Sequence, residues 1–371
     1  MGEKMTRVLI VGTGTIGQPL AKAALELKSQ LGIDEIIILK NTPRVEDVGM
    51  VRRFQSCGAK ICAYKEKFSK FVQFGMTPDY DFETALSLAN VIIDCTKDDL
   101  ALKMKEDFYF YRHHTQKCRG FIAQGGAKGF GIPFAYNINN KALYWSGSPH
   151  KFIQVVSCNT HNILAILQTL VLAHEGPNYL ESGRFYLQRR VSDVSQKKGI
   201  IGIEVGTPSD PKFGSHQAAD AMAVLRTISV RGDLDIHSRA HKSPNPYMHV
   251  IDFNLKLKTS LTLAEATARF WENPLTATTH QTMNNVVFSA GRDWGHFGRI
   301  LNQTVVCLPS LEVLNGGREI EGTCFTPQDG NSLLSSFAAL LYLLDGTENK
   351  SEWREKMKNI FHRLPFIFEE V

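Results

Sequence analysis

The sequence has no stretch near the ~18 consecutive apolar residues that a membrane helix requires, and its N-terminus lacks the apolar core of a secretory signal. It has no CxxC pair and no His/Cys cluster at zinc-finger spacing, so its seven cysteines (57, 62, 95, 118, 158, 307 and 324) are expected as reduced thiols and no metal site is expected. It has no basic tract of roughly five to eight residues, which argues against nucleic acid as a partner. Without a leader, a spanning helix or a basic arm, the expected compartment is the cytoplasm, with no membrane association. Met1-Gly2 followed by Thr6 matches a myristoylation pattern, but a strand starting at Arg7 leaves little tether for a lipid. Asn302-Gln303-Thr304 and Asn349-Lys350-Ser351 are sequons without consequence in a chain that is not secreted.

What is present is a soluble-enzyme composition, 43% hydrophobic and 21% charged over 371 residues, long enough for two domains. The net charge of +5 is scattered, which suits anionic small molecules better than a polyanion.

The apolar run "RVLIV" (7–11) breaks into "GTGTIG" and then a helical pattern. Further β-branched strands follow at 34–40, 90–96 and 120–126, with a charged helix-like stretch at 99–112. Strands and helices alternating in this way predict parallel βαβ units. Past Cys158 the texture changes: a buried helix over 163–176, then strand-like runs at 184–191, 200–205, 247–258 and 303–308. A helix over 261–273 enters through Thr262 with Glu265 three residues on, a capping box. Helices return at 333–344 and 351–362. The fold class is therefore α/β: a Rossmann-type dinucleotide-binding domain plus an α+β catalytic domain with a mainly antiparallel sheet.

Gly12-Thr13-Gly14-Thr15-Ile16-Gly17 lies between the first strand and the first helix, where a dinucleotide turn belongs. Gly12 permits the tight turn, Gly14 permits close approach of a pyrophosphate, and Gly17 permits close helix–strand packing. Pro19 falls in the first helical turn, where its missing N–H is harmless. An NAD-selective site places an acid at the end of the second strand. Here that strand ends in Lys40, with Thr42 and Arg44 just beyond, so a 2′-phosphate is attracted and the cofactor is NADP or NAD rather than NAD alone.

Cys158, in "VVSCNTHN", sits where a strand hands over to a helix. There the helix dipole favours thiolate. A thiolate beside a nicotinamide attacks an aldehyde, hydride leaves, and a thioester results. The other six cysteines read as buried and inert. The partner base is His216, in the polar, glycine-containing segment "GSHQAAD" that reads as a loop, with His161 as the second choice. Arg189-Arg190 offers bidentate binding of a substrate phosphate, but adjacent strand residues face opposite ways, so at most one does so. His237 and His241 read as exposed loop histidines rather than metal ligands, and His113-His114 as surface residues.

Taken together, these residues resemble the archaeal-type (type II) glyceraldehyde-3-phosphate dehydrogenases. The likeness runs from residue 7 to about 345: "VGTGTIGQPLA", Gln124-Gly125-Gly126, "VVSCNT", Arg189-Arg190, "GSHQAAD" and the Met-His stretch at 247–273. The resemblance implies a homotetramer that oxidises glyceraldehyde 3-phosphate with inorganic phosphate to 1,3-bisphosphoglycerate, reversibly, in glycolysis or gluconeogenesis. It implies Cys158 as nucleophile; Ser157, Asn159, Thr160, Arg189 and Gln217 on the substrate side; and Gly125, Arg190 and Gln328 on the cofactor side. It also implies that C-terminal helices return to the first domain, giving residues 1–157 with 331–371 as the dinucleotide domain and 158–330 as the catalytic domain.

The chain departs from the family at His161-Asn162 after the nucleophile box, at Gln217 in place of a second His, at "CTKDD" (95–99), and in "QDGNSLLSS", where no counterpart of an expected Asn stands out. Two other readings use the same residues: a different cysteine-dependent dehydrogenase such as aspartate-semialdehyde dehydrogenase, and a nucleotide-binding homologue without catalysis.

Overall fold

The computed structural model describes residues 5–112, 118–144, 150–190, 202–228, 230, 232–296, 298–328, 330–346, 350–364 and 368–371. His113, His114 and Asn349 lie outside the described residues.

The first sheet has eight strands: β1 (Arg7–Val11), β2 (Glu35–Leu39), β3 (Lys60–Ala63), β4 (Tyr80–Asp81), β5 (Val91–Asp94), β6 (Gly120–Gln124), β7 (Ile132–Phe134) and β8 (Phe152–Val155), in the order β4-β3-β2-β1-β5-β6-β8-β7. The pairs from β4 through β8 are parallel. A parallel sheet is covered on both faces, which is why β1, β2 and β5 each carry three or four consecutive apolar residues rather than an alternation, with the charged Arg7, Glu35 and Asp94 at strand ends. Its helices are α1 (Gly17–Glu26), α2 (Val48–Ser56), α3 (Phe68–Gln73), α4 (Phe82–Leu88), and α5 (Asp98–Met104), which passes through a π turn at Lys105–Tyr109 into α6 (Phe110–Arg112). The strand order reverses on either side of β1, so the carboxyl ends of β1 and β5 flank the switch-point crevice where such sheets bind ligands.

Beyond β8 come α7 (Cys158–Leu167), β9 (Leu180–Arg190), α8 (His216–Arg226), β10 (Ile236–Ser243), β11 (His249–Leu257), α9 (Leu263–Glu272), β12 (Thr276–Thr279), α10 (Asn284–Trp294), β13 (Thr304–Leu314), β14 (Glu319–Thr326), α11 (Leu333–Leu341) and α12 (Lys350–Arg363). The second sheet runs β10-β9-β11-β14-β13-β12; its three central pairs are antiparallel and the pair at each edge is parallel. β11 alternates buried residues with half-buried or exposed ones, the period of a sheet with one face on a core. Thr262 caps α9, and its reciprocal bonds with Glu265 complete the capping box.

By packing, the chain divides into one unit of Met1–Ile132, Leu143–Val155 and Ser335–Arg363, and another of Pro133–Ala142, Val156–Leu334 and Leu364–Val371. The closing residues join the second unit because their backbone pairs with Thr278 at β12.

Two sequence expectations need correction. Residues 236–243 form strand β10, not a loop: hydrogen bonding to β9 organises them despite their polar composition, and Pro244 and Pro246 follow the strand. His237 and His241 therefore stand on one strand, and His241 Nδ1 accepts the Gly206 N–H at 3.2 Å. The run expected at 200–205 shows, among its described residues, an isolated bridge between Glu204 and Lys242 rather than a strand.

Candidate active site

The glycine turn is built as a nucleotide cradle requires. Gly12 has φ +98°, and a Cβ there would press on the Cys95 backbone at 3.3 Å. A Cβ on Gly17 would lie 2.1 Å from the Gly12 carbonyl, so helix and turn close only on glycine. A Cβ at Gly14 would meet nothing within 4 Å, which leaves that face open. Thr13, Thr15 and Ile16 are half-buried around it, and the Thr13 carbonyl accepts from Gln18 Nε2 at 2.9 Å. Ile16, at the N-cap of α1, supplies no side-chain acceptor; of the first-turn groups, the Gln18 N–H goes to the Gly14 carbonyl at 3.1 Å and Pro19 has none, so any anion here meets the turn backbone before Gln18 rather than a full set of helix donors. The turn thus fits a pyrophosphate.

At the end of β2 the structure adds a residue that sequence reasoning passed over. Lys40 is buried and its ammonium lies 2.8 Å from Asp47 Oδ2, while Thr42 and Arg44 are exposed. Gly125 follows β6 and donates its N–H to Val155 O at 2.9 Å. Gly126 donates to Asp98 Oδ1 at 3.1 Å, so the first acid of "CTKDD" with a described contact here ties α5 to the Gln124-Gly125-Gly126 segment.

In the second unit, Ser157 is the N-cap of α7: its Oγ accepts the Thr160 N–H at 3.4 Å and lies 2.9 Å from Thr160 Oγ1. Cys158 is consequently the first helical residue, and it is half-buried. Asn331 donates from Nδ2 to the Cys158 carbonyl at 2.9 Å and to Gln303 O at 3.1 Å. This residue of "QDGN" is thereby a fixed neighbour of Cys158, and composition alone gave no sign of it. Of the other cysteines, 62, 118, 307 and 324 are buried, and burial pushes Cys62 and Cys324 up, the latter to about 12. The expectation of burial fails at Cys57, which is exposed because it ends α2 beyond the inward face of Val51 and Phe54, and at Cys95, which is half-buried.

His216 is corrected from loop to helix: it is the first residue of α8. Ser215 before it is anchored on Ser238, Oγ to Oγ at 2.7 Å. Helices α7 and α8 pack together, so Cys158 and His216 are the first residues of two neighbouring helices. Gln217 and Asn159 are buried, and Gln217 Oε1, Asn159 Oδ1 and Gln328 Oε1 have no hydrogen-bond partner among the described residues. A buried acceptor left alone costs about 1–3 kcal/mol, a cost that a hydrogen-bonding ligand offsets.

Arg189 and Arg190 face opposite sides of β9, as strand geometry demands. Arg190 is buried; its Nη1 donates to Tyr247 O at 2.8 Å, and its backbone N–H donates to His249 Nδ1 at 2.8 Å. Arg189 is half-buried. Burial, then the two arginine charges, hold His249 well below the ordinary imidazole range.

The two departures after the nucleophile box are structural ties. Asn162 donates to Thr326 Oγ1 at 2.8 Å and accepts from Cys324 Sγ at 3.1 Å. His161 is fully buried with Nδ1 3.1 Å from Ser157 O, and burial lowers it to about 4.

That shift predicts an acid-labile fold. The folded His161 titrates below its unfolded value, so between pH about 6.5 and 4 the unfolded chain binds the extra proton and stability falls as pH falls. At ~1.4 kcal/mol per unit, about 2 kcal/mol is lost between pH 7 and about pH 5. Urea midpoints at the two pH values should converge in His161→Phe relative to wild type; an unchanged difference would remove the assignment.

Comparison with known proteins gives a consistent direction. No protein-family model matches the chain. Over 257 residues it is 30% identical to the glyceraldehyde-3-phosphate dehydrogenase 2 of Methanosarcina acetivorans, covering 69% of each chain. It is 28% identical over 272 residues to the glyceraldehyde-3-phosphate dehydrogenase of Pyrobaculum islandicum, 73% of this chain and 72% of that one. The Sulfolobus acidocaldarius protein of the same name is 30% identical over 247 residues, 66% of this chain and 64% of its own.

Proposed function

The chain belongs to the glyceraldehyde-3-phosphate dehydrogenase family, and on that premise we propose that it oxidises glyceraldehyde 3-phosphate, with inorganic phosphate, to 1,3-bisphosphoglycerate. The observation that carries the proposal is Cys158 at the head of α7, behind its N-cap Ser157 and partly open to solvent. When bound at the glycine turn, NADP or NAD supplies the hydride acceptor.

Cys158 performs the covalent step. The dipole of α7 stabilises negative charge on Sγ. Sγ bonds to the aldehyde carbon as the C=O π bond breaks, and the carbonyl oxygen takes the proton that His216 held from the Cys158 thiol, giving a thiohemiacetal on the protein and a neutral His216. As hydride leaves that carbon, His216 accepts the hydroxyl proton, and a thioester on Cys158 remains. A phosphate oxygen then bonds to the thioester carbon and the C–S bond breaks, returning Cys158 as thiolate. Ser157, Asn159, Thr160, Arg189 and Gln217 position the phosphorylated substrate; Arg190, Gly125 and Gln328 serve the cofactor side. The working unit in this reading is a cytoplasmic homotetramer in glycolysis or gluconeogenesis. Among the described residues no helix is long and apolar enough to cross a membrane.

The test is reduction of NADP and of NAD by the purified protein with glyceraldehyde 3-phosphate, with and without phosphate or arsenate. Turnover that depends on the anion is expected. Turnover of aspartate semialdehyde alone, or none with either aldehyde, would overturn the proposal.

A further inference from the structure

We propose that Asp47 is a specificity-determining residue of the cofactor site: it competes with a nucleotide 2′-phosphate for the Lys40 ammonium. The inference rests on the dinucleotide-binding reading above and adds to it a residue and a direction.

Lys40 follows β2, whose end meets the adenosine ribose in a Rossmann sheet. Its backbone is fixed by the bond from its N–H to Cys62 O at 3.0 Å. Its side chain is only 11% exposed, and its ammonium is 2.8 Å from an Asp47 carboxylate that is 23% exposed. Asp47 closes the helical turn Val45–Asp47 that runs into α2, with helical φ −90° and ψ −8°, so its carboxylate is not committed to capping a helix start. Its side chain makes no cap bond. Among the described residues Asp47 Oδ2 makes no hydrogen bond, and its one ion pair is with Lys40. Of the segment's other charges, Arg44 is exposed with Glu46 at 3.8 Å, and Lys67 is engaged with Asn41 Oδ1 at 2.5 Å; Lys40 is the buried one.

The pair gives β2 two opposed features. Asp47 places beside the lysine the kind of acid that accepts ribose hydroxyls. A 2′-phosphate on the same ribose meets like charge and must displace Asp47 to reach Lys40. Removing the carboxylate leaves a largely buried ammonium without a counter-charge, and a phosphate then supplies it.

Calorimetric titration of the intact protein with NAD and with NADP tests this. Asp47→Asn is expected to strengthen NADP binding by about tenfold relative to NAD, and the gain should vanish in Asp47→Asn combined with Lys40→Met. An unchanged NADP-to-NAD ratio in Asp47→Asn would overturn the role of Asp47 while leaving the dehydrogenase reading intact; a wild type that binds neither dinucleotide would remove both. Should Asp47→Asn fail to fold, crystals of wild type with each cofactor decide: the Lys40–Asp47 contact is expected to open beyond about 4 Å with NADP and stay closed with NAD. A contact closed with both would contradict the proposal.

Discussion

Replacing Cys158 by serine is expected to abolish dehydrogenase turnover, with kcat down by about 10⁴-fold or more, while dinucleotide affinity stays within about twofold. Serine at the first position of α7 keeps the size and the cap of Ser157, but its hydroxyl does not ionise near neutral pH, and the ester it would form does not release the acyl group to phosphate as a thioester does. The glycine turn that fits the cofactor is in a separate stretch of chain, from Gly12 to Gly17, and is untouched. Steady-state kinetics and dinucleotide titration on the same preparation check both halves. Activity that survives in the serine variant would end the covalent reading.

His216→Asn should lower kcat by about 10²- to 10⁴-fold, the usual weight of a general base. Asparagine keeps a polar side chain at the head of α8 and takes no proton, so the acid limb of the pH–rate profile should disappear while KM for the aldehyde changes little. His161→Phe separates the two histidines. His161 is fully buried and lowered to about 4 by burial, with Nδ1 at the Ser157 carbonyl. It is therefore expected to change the acid stability of the fold and leave the shape of the pH–rate profile. If the limb vanishes in the His161 variant and persists in His216→Asn, the base has been assigned to the wrong residue.

The parallel half of the molecule is legible because its signals are local. "RVLIV" followed by "GTGTIG" and an alanine-rich amphipathic run leaves little choice but strand, turn and helix. The capping box at Thr262 is local in the same sense. What escapes is whatever depends on a distant partner. β10 is polar and precedes two prolines; it is a strand because β9 offers it a backbone ladder. α8 reads as a loop when attention rests on Gly214 and Ser215, although Ser215 followed by "HQAADAMAVLR" is an acceptable helix start. The Lys40–Asp47 pair spans seven residues and a short helical turn, a spacing with no sequence signature. Asn331 reaches the Cys158 carbonyl across 173 positions. Its role follows from the tertiary fold alone.

The central claim is that Cys158 carries the acyl group between oxidation and phosphate transfer. Rapid mixing with dinucleotide and glyceraldehyde 3-phosphate in the absence of phosphate reads it directly through reduced nicotinamide. A burst stoichiometric with Cys158 is predicted, followed by arrest, resumed turnover on adding phosphate, and no burst in Cys158→Ser. Steady reduction without phosphate, or a burst of equal size in the serine variant, would contradict the account.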